Sequence, residues 1–209
     1  GIVDYLVPSA YCYFNLDTDM PIDWIIHASH ESDVSIFGML QHYVHSPSTG
    51  SDTKQYPSPE IVRAAAANLW DMGVDGLYTW AMRWPLSANE RSILSELDDP
   101  DLIRQGDKHY VLRRRSQVAA KQGYDAILPL TINFDNLGKR YEVPFYFSDD
   151  LKTASGHVSK VELSLNIHNA VSADRFALFL NGESLKREKC TRKYVDQGIS
   201  MWLEFTLEK

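Results

Sequence analysis

The chain has 209 residues, 44% hydrophobic and 23% charged, the balance of a folded globular protein with room for one large domain or two ordinary ones. No apolar run approaches the ~20 residues a membrane-spanning helix needs, which excludes a membrane span. A net charge of −7 excludes the concentrated basic surface that nucleic-acid phosphates require.

The charge is uneven. Residues 1–110 carry 6 Lys/Arg against 16 Asp/Glu, whereas residues 111–209 carry 15 against 12. The break falls at the basic stretch KHYVLRRR, residues 108–115. It predicts two domains, 1–110 and 126–209, joined by a linker at 111–125.

In chain order, the apolar residues 2–8 read as a buried strand. Pro21 opens a helix over 22–31, with Asp19 and Thr18 as candidate caps and Ile22, Ile25, Ile26 and Ser29 on one face. A second strand covers 34–40, and a polar loop covers 46–56. The clearest helix is SPEIVRAAAANLWDMG: Ser58 caps it, Pro59 fits its first turn, Glu60 favours the positive end of the dipole, and Gly73 ends it. A third strand at 74–80 and a helix at 88–97 capped by Ser87 follow, then a short turn at 101–105. Strand and helix alternate as in parallel βα units, with near-continuously apolar strands.

The second half changes period. Alternating strands are expected at 127–134, 141–147, 158–167, 176–180 and 199–207, with Asn181-Gly182 as a two-residue hairpin turn. An antiparallel β-sandwich is the expected form. Strand patterns run into both ends of the sequence, from which a piece of a longer protein is expected, one that self-associates through an uncovered sheet face.

In parallel βα folds, ligands meet the loops at the C-terminal ends of the strands. Three such exits exist: SAYCYFNLDTDM with Tyr13, Asp17 and Asp19; QHYVH with Gln41, His42, Tyr43 and His45; and TWAMRWP with Trp80, Arg83 and Trp84. Tyr78 precedes the last exit. Aromatic rings beside amides and hydroxyls suit a sugar, whose C–H faces stack while its hydroxyls take directional hydrogen bonds. Packing in the interior is the alternative for Tyr78 and Trp80, and it is the main role expected of Tyr78. Asp17 and Asp19 precede a helix, where Asp commonly caps. His42 and His45 leave the second strand at the same rim as Asp17, the one arrangement that would place a metal among these exits. His27 and His30 are spaced i, i+3 on a helix and match no metalloprotease motif. There is no Gly-x-Gly-x-x-Gly, phosphate loop or Gly-x-Ser-x-Gly elbow, and neither Cys12 nor Cys190 lies in a nucleophile motif, so no cofactor is expected.

The run YPSPEIVRAAAANLWDMGVDGLYTWAMRWP resembles the closing part of TIM-barrel proteins related to glycoside hydrolases, in particular bacterial glycosidase-like families. Pro59, Glu60, Arg63, Ala64, Ala65, Ala66, Asn68, Trp70, Gly73, Asp75 and Gly76 carry the match, and VDYLVPS with MPIDWI resembles the strand-six region. The resemblance spans residues 1–110 and implies the last three units of a (β/α)8 barrel, followed by an accessory β-domain. Relatives with a two-glutamate mechanism carry an acid after strand seven. Here that exit offers Gln41, so no catalytic residue is assigned. The function implied is part of a carbohydrate-active, glycoside hydrolase-like protein, inactive as this chain alone. Its sugar contacts would be Tyr78, Trp80, Arg83, Trp84, Gln41, Tyr43, Tyr13 and Asp17. The alternatives are a non-catalytic carbohydrate-binding or cell-surface protein with a degenerate barrel, and a metal-dependent hydrolase.

Overall fold

The computed structural model describes residues 2–9, 16–45, 54–80, 82–112, 127–153, 158–195 and 200–207. The chain divides into two compact units, Gly1–Val44 with Gln55–Asp149, and His45–Lys54 with Asp150–Lys209.

The first elements are, in order, β1 (Tyr5–Leu6), α1 (Asp23–Ser29), β2 (Ser35–Leu40), the short β3 (Val44–His45) and β4 (Lys54–Gln55), α2 (Pro59–Met72), β5 (Gly76–Thr79), α3 (Ala88–Leu94) and α4 (Pro100–Gln105); the division between the units runs through β3 and β4, and the others belong to the first unit. Strands β1, β2 and β5 form a parallel sheet in that order. Along β2 the burial alternates: Ile36, Gly38 and Leu40 are buried, while Phe37 and Met39 are half-buried. Gly38 lies against α2, where a Cβ would come within 2.8 Å of Leu69 Cδ1. The absent side chain thus permits the close seating of helix on sheet. Ala64, Ala65 and Ala66 on α2 are likewise fully buried.

Helix α2 is delimited as its sequence requires. Pro59 occupies the first turn, and Gly73 adopts φ 92° beyond the last, its N–H donating to Leu69 O and Trp70 O. Ser58 does not cap the free amides. It is hydrogen-bonded to the Glu60 carboxylate instead, the main reason that group is held below the ordinary glutamate range. Helix α1 begins two residues after Pro21 without a side-chain cap. Thr18 Oγ1 instead donates to Val111 O at 2.8 Å, and Asp17 Oδ1 accepts from Asp19 N–H at 3.1 Å.

The expected partial barrel followed by a β-sandwich is not formed; the chain is a mixed α/β protein with small sheets. Barrel geometry needs strands that continue the sheet toward closure. Here β1 spans two residues, both exposed, and β5 spans four, so the sheet stays open. The stretch at 127–134 is not a strand but irregular chain leading into a 3-10 turn at Phe134–Asn136, and 141–147 is irregular too. Both fall within the first unit, which runs on to Asp149, beyond the expected limit at 110. Most of the expected linker, 113–125, lies outside the described residues.

The second unit carries β6 (Val161–His168), β7 (Phe179–Leu180), β8 (Glu183–Ser184), β9 (Cys190–Val195) and β10 (Ser200–Leu207). An antiparallel sheet runs β6-β10-β9, and β7-β8 is a separate hairpin. Asn181 and Gly182 turn that hairpin with φ of 50° and 87°, as a two-residue turn of this kind demands. On β10, Met201, Leu203 and Phe205 are buried, packed against Leu163, Leu165, Phe176, Leu178 and Leu185. A sandwich requires a second sheet on that face. Phe176, Leu178 and Leu185 cover it instead, from the hairpin and the chain flanking it. Cys190 is a free thiol. No described helix is long and apolar enough to cross a membrane.

Candidate functional site

The C-terminal ends of β2 and β5 converge with the start of α2 and with α3 on a cleft of ≈ 40 Å³. The two exits are tied by the Trp80 N–H, which donates to Leu40 O at 3.1 Å. Its aliphatic lining comes from Leu40, Val62, Ile93 and Leu97, and its polar lining from Gln41, Thr79, Arg83, Asn89 and Glu90. Trp80 stands on the lining at 40% exposure.

Gln41 is 9% exposed. Its Nε2 donates to Ser9 Oγ at 3.1 Å and approaches Met39 Sδ at 2.9 Å. Among the described residues no donor reaches its buried Oε1. Beside it, His42, Tyr43 and Tyr56 form an aromatic cluster, with ring centroids 3.9 Å apart for His42–Tyr43 and 5.3 Å for Tyr43–Tyr56. The Tyr43 phenol is pushed up, chiefly by its hydrogen bond with Tyr56. The Arg83 guanidinium lies 5.6 Å from the Tyr56 ring centroid, a cation–π geometry that holds it at the mouth. Glu90 accepts from the Ser87 backbone N–H at 2.8 Å and from the Ser87 hydroxyl. The hydroxyl bond is the main reason its carboxyl is held below the ordinary range, and the nearby Arg83 charge adds to it.

Of the residues named from sequence, the structure brings Gln41, Trp80 and Arg83 onto one cleft, with Tyr43 behind them against Tyr56. Tyr78 is not interior packing. It is 42% exposed, its ring 6.5 Å from that of Trp80 with 35° between the planes. Trp84 is 85% exposed and does not line the cleft. Asp17 is buried and also off the cleft. Tyr13 and the side chain of His45 lie outside the described residues, as does Cys12. Among the described residues no three of His, Cys, Asp and Glu come together as metal ligands.

Tyr56, Asn89 and Glu90 are part of the site and were not legible as such. Tyr56 closes a polar loop and immediately precedes Pro57-Ser58-Pro59. A ring held directly before a proline-started helix was the available signal.

The residues that carry the family resemblance have structural tasks. Arg63 bonds Glu96 at 2.9 Å and Asp107 O at 2.6 Å. Asn68, 1% exposed, donates to Thr18 O and to Tyr146 O and accepts from Ser148 N–H. Trp70 Nε1 donates to Leu97 O, Asp75 accepts from Ile36 N–H at 2.7 Å, and Gly76 lies under the Phe37 ring. None of these five lines the cleft. These five therefore serve packing around α2, whereas Pro59 of the same motif stands on the cleft lining. No protein-family model matches the chain, and no curated protein matches it either.

Proposed function

We propose that the first unit binds carbohydrate without cleaving it, as part of a carbohydrate-active protein of glycoside hydrolase-like kind. The observation that carries this reading is the pair of half-exposed rings, Tyr78 and Trp80, 6.5 Å apart beside a cleft lined by Gln41, Arg83 and Asn89. Such rings offer stacking faces for pyranose C–H surfaces, and the amides and guanidinium serve hydroxyl groups. The cleft is too small to enclose a sugar ring, since enclosing ligand pockets run to about 300 Å³ or more. The ring would lie on the aromatic surface and send only a substituent inward.

Binding is favoured over turnover by the carboxylates. Glycoside hydrolysis uses a pair of them across the scissile bond. Among the described lining residues Glu90 is the one carboxylate, and Ser87 engages it. Asp17 and Asp19 are committed to loop structure through the Asp17–Asp19 turn and the Tyr146 N–H bond to Asp19. Isothermal titration with neutral β-linked oligosaccharides tests the reading. Trp80→Ala should weaken binding at least about tenfold, some 1.4 kcal/mol, with an unchanged far-UV spectrum. Equal binding by Trp80→Ala, or release of nitrophenol from aryl glycosides, would refute it.

A further inference from the structure

Given carbohydrate binding at this rim, the geometry points to an N-acetylated sugar whose acetamido group enters the cleft beside Trp80. The volume sets the first constraint. A cleft of ≈ 40 Å³ suits a small substituent and not a pyranose ring.

The lining sets the second. Leu40, Val62, Ile93 and Leu97 present aliphatic surface, on which a methyl group gains burial while a hydroxyl would lose its water without replacement. The polar groups set the third. An amide substituent brings one donor and one acceptor. Gln41 supplies a buried acceptor, Oε1, that has no donor among the described residues, a state disfavoured until a donor arrives. Arg83 and Asn89, both exposed on the lining, supply donors for the acetyl carbonyl. A 6-deoxy sugar, with a bare methyl, would satisfy the aliphatic wall and leave Gln41 unanswered. An anionic sugar is opposed by the acidic balance of residues 1–110.

The test compares trimers of N-acetylglucosamine and of glucose with the same β-1,4 linkage, titrated into the wild-type chain. The acetylated trimer should bind at least about tenfold tighter. Gln41→Leu should reduce that ratio severalfold, and Val62→Phe, which fills the cleft, should remove it. Equal affinity for the two trimers overturns the acetamido assignment and leaves the carbohydrate reading standing. Failure of both trimers to bind overturns both. Should either variant lose its fold by circular dichroism, the wild-type ratio alone decides.

Discussion

Asn68→Ala is the sharpest test of how the first unit is held together. The Asn68 amide is 1% exposed and serves three backbone groups: the carbonyls of Thr18 and Tyr146 and the N–H of Ser148. Truncation leaves the Thr18 carbonyl buried and unpaired, which costs about 1–3 kcal/mol, and strips two half-buried partners worth about 1 kcal/mol each. The expected loss is about 3–5 kcal/mol, a large share of the roughly 5–15 kcal/mol that stabilises a typical domain. In urea, with a slope near 2 kcal/mol per molar, the midpoint of the tryptophan fluorescence transition should fall by about 1.5–2.5 M. Asn68→Asp discriminates between causes. It keeps an acceptor for Ser148 but sets carboxylate oxygen against two carbonyls, so it should destabilise at least as much as alanine at neutral pH. A midpoint shift under about 0.5 M for Asn68→Ala, or a milder effect for Asn68→Asp, would refute the hydrogen-bond account.

Three further outcomes follow from the same geometry. Gly106→Ala would place a Cβ 2.4 Å from Arg63 Nε, in a side chain already fixed by Glu96 and Asp107; thermal melts should show a loss of about 1–3 kcal/mol, and an unchanged melt would contradict the crowding. Burial, with the Asp71 hydrogen bond second, raises the Tyr146 phenol to about 12 from an ordinary 10. The folded state therefore holds the neutral phenol more firmly than the unfolded chain, so this contribution is complete below pH 10 and lost as pH rises toward 12. Tyr146→Phe should flatten that alkaline loss, measured as stability against pH. The lowered Glu90 carboxyl acts in the opposite sense: its contribution is present above the ordinary 4.5 and fades as pH falls through the lowered value. Ser87→Ala should weaken this acid dependence, and an identical acid profile would count against the Ser87–Glu90 hydrogen bond as its cause.

What the sequence showed best was local and self-contained. Pro59 and Gly73 delimit α2 through backbone constraints, Asn181-Gly182 needs positive φ, and the alternation of Met201, Leu203 and Phe205 decides which face of β10 is buried. What it hid depends on partners distant along the chain. The apolar alternation at 141–147 suggests a strand, yet the stretch is irregular, and the Asn68 side chain, not a neighbouring strand, bonds the backbone at Tyr146 and Ser148. Residues 2–8 are apolar enough to be interior, but burial needs a covering layer; Ile2, Val3, Tyr5 and Leu6 are exposed among the described residues. At the site, strand exits pointed to Gln41, Trp80 and Arg83 because short apolar runs that give way to polar residues show where a strand stops. Tyr56 and Asn89 escaped because nothing in the sequence tells which loop folds back onto which exit.

The Asn68 clasp also bears on the order in which the unit can be completed during synthesis. Helix α2 leaves the ribosome well before residues 146 and 148, which lie 78 and 80 positions downstream of Asn68. At about 5–20 residues per second, that interval is roughly 4–16 s. Throughout it, the helix has its sheet and the Thr18 carbonyl but not its far partners, and the rest of the Asn68 amide must be served by water. Nascent chains that end before residue 146 should accordingly be open to proteolysis around α2, and chains that extend past Asp149 should become protected.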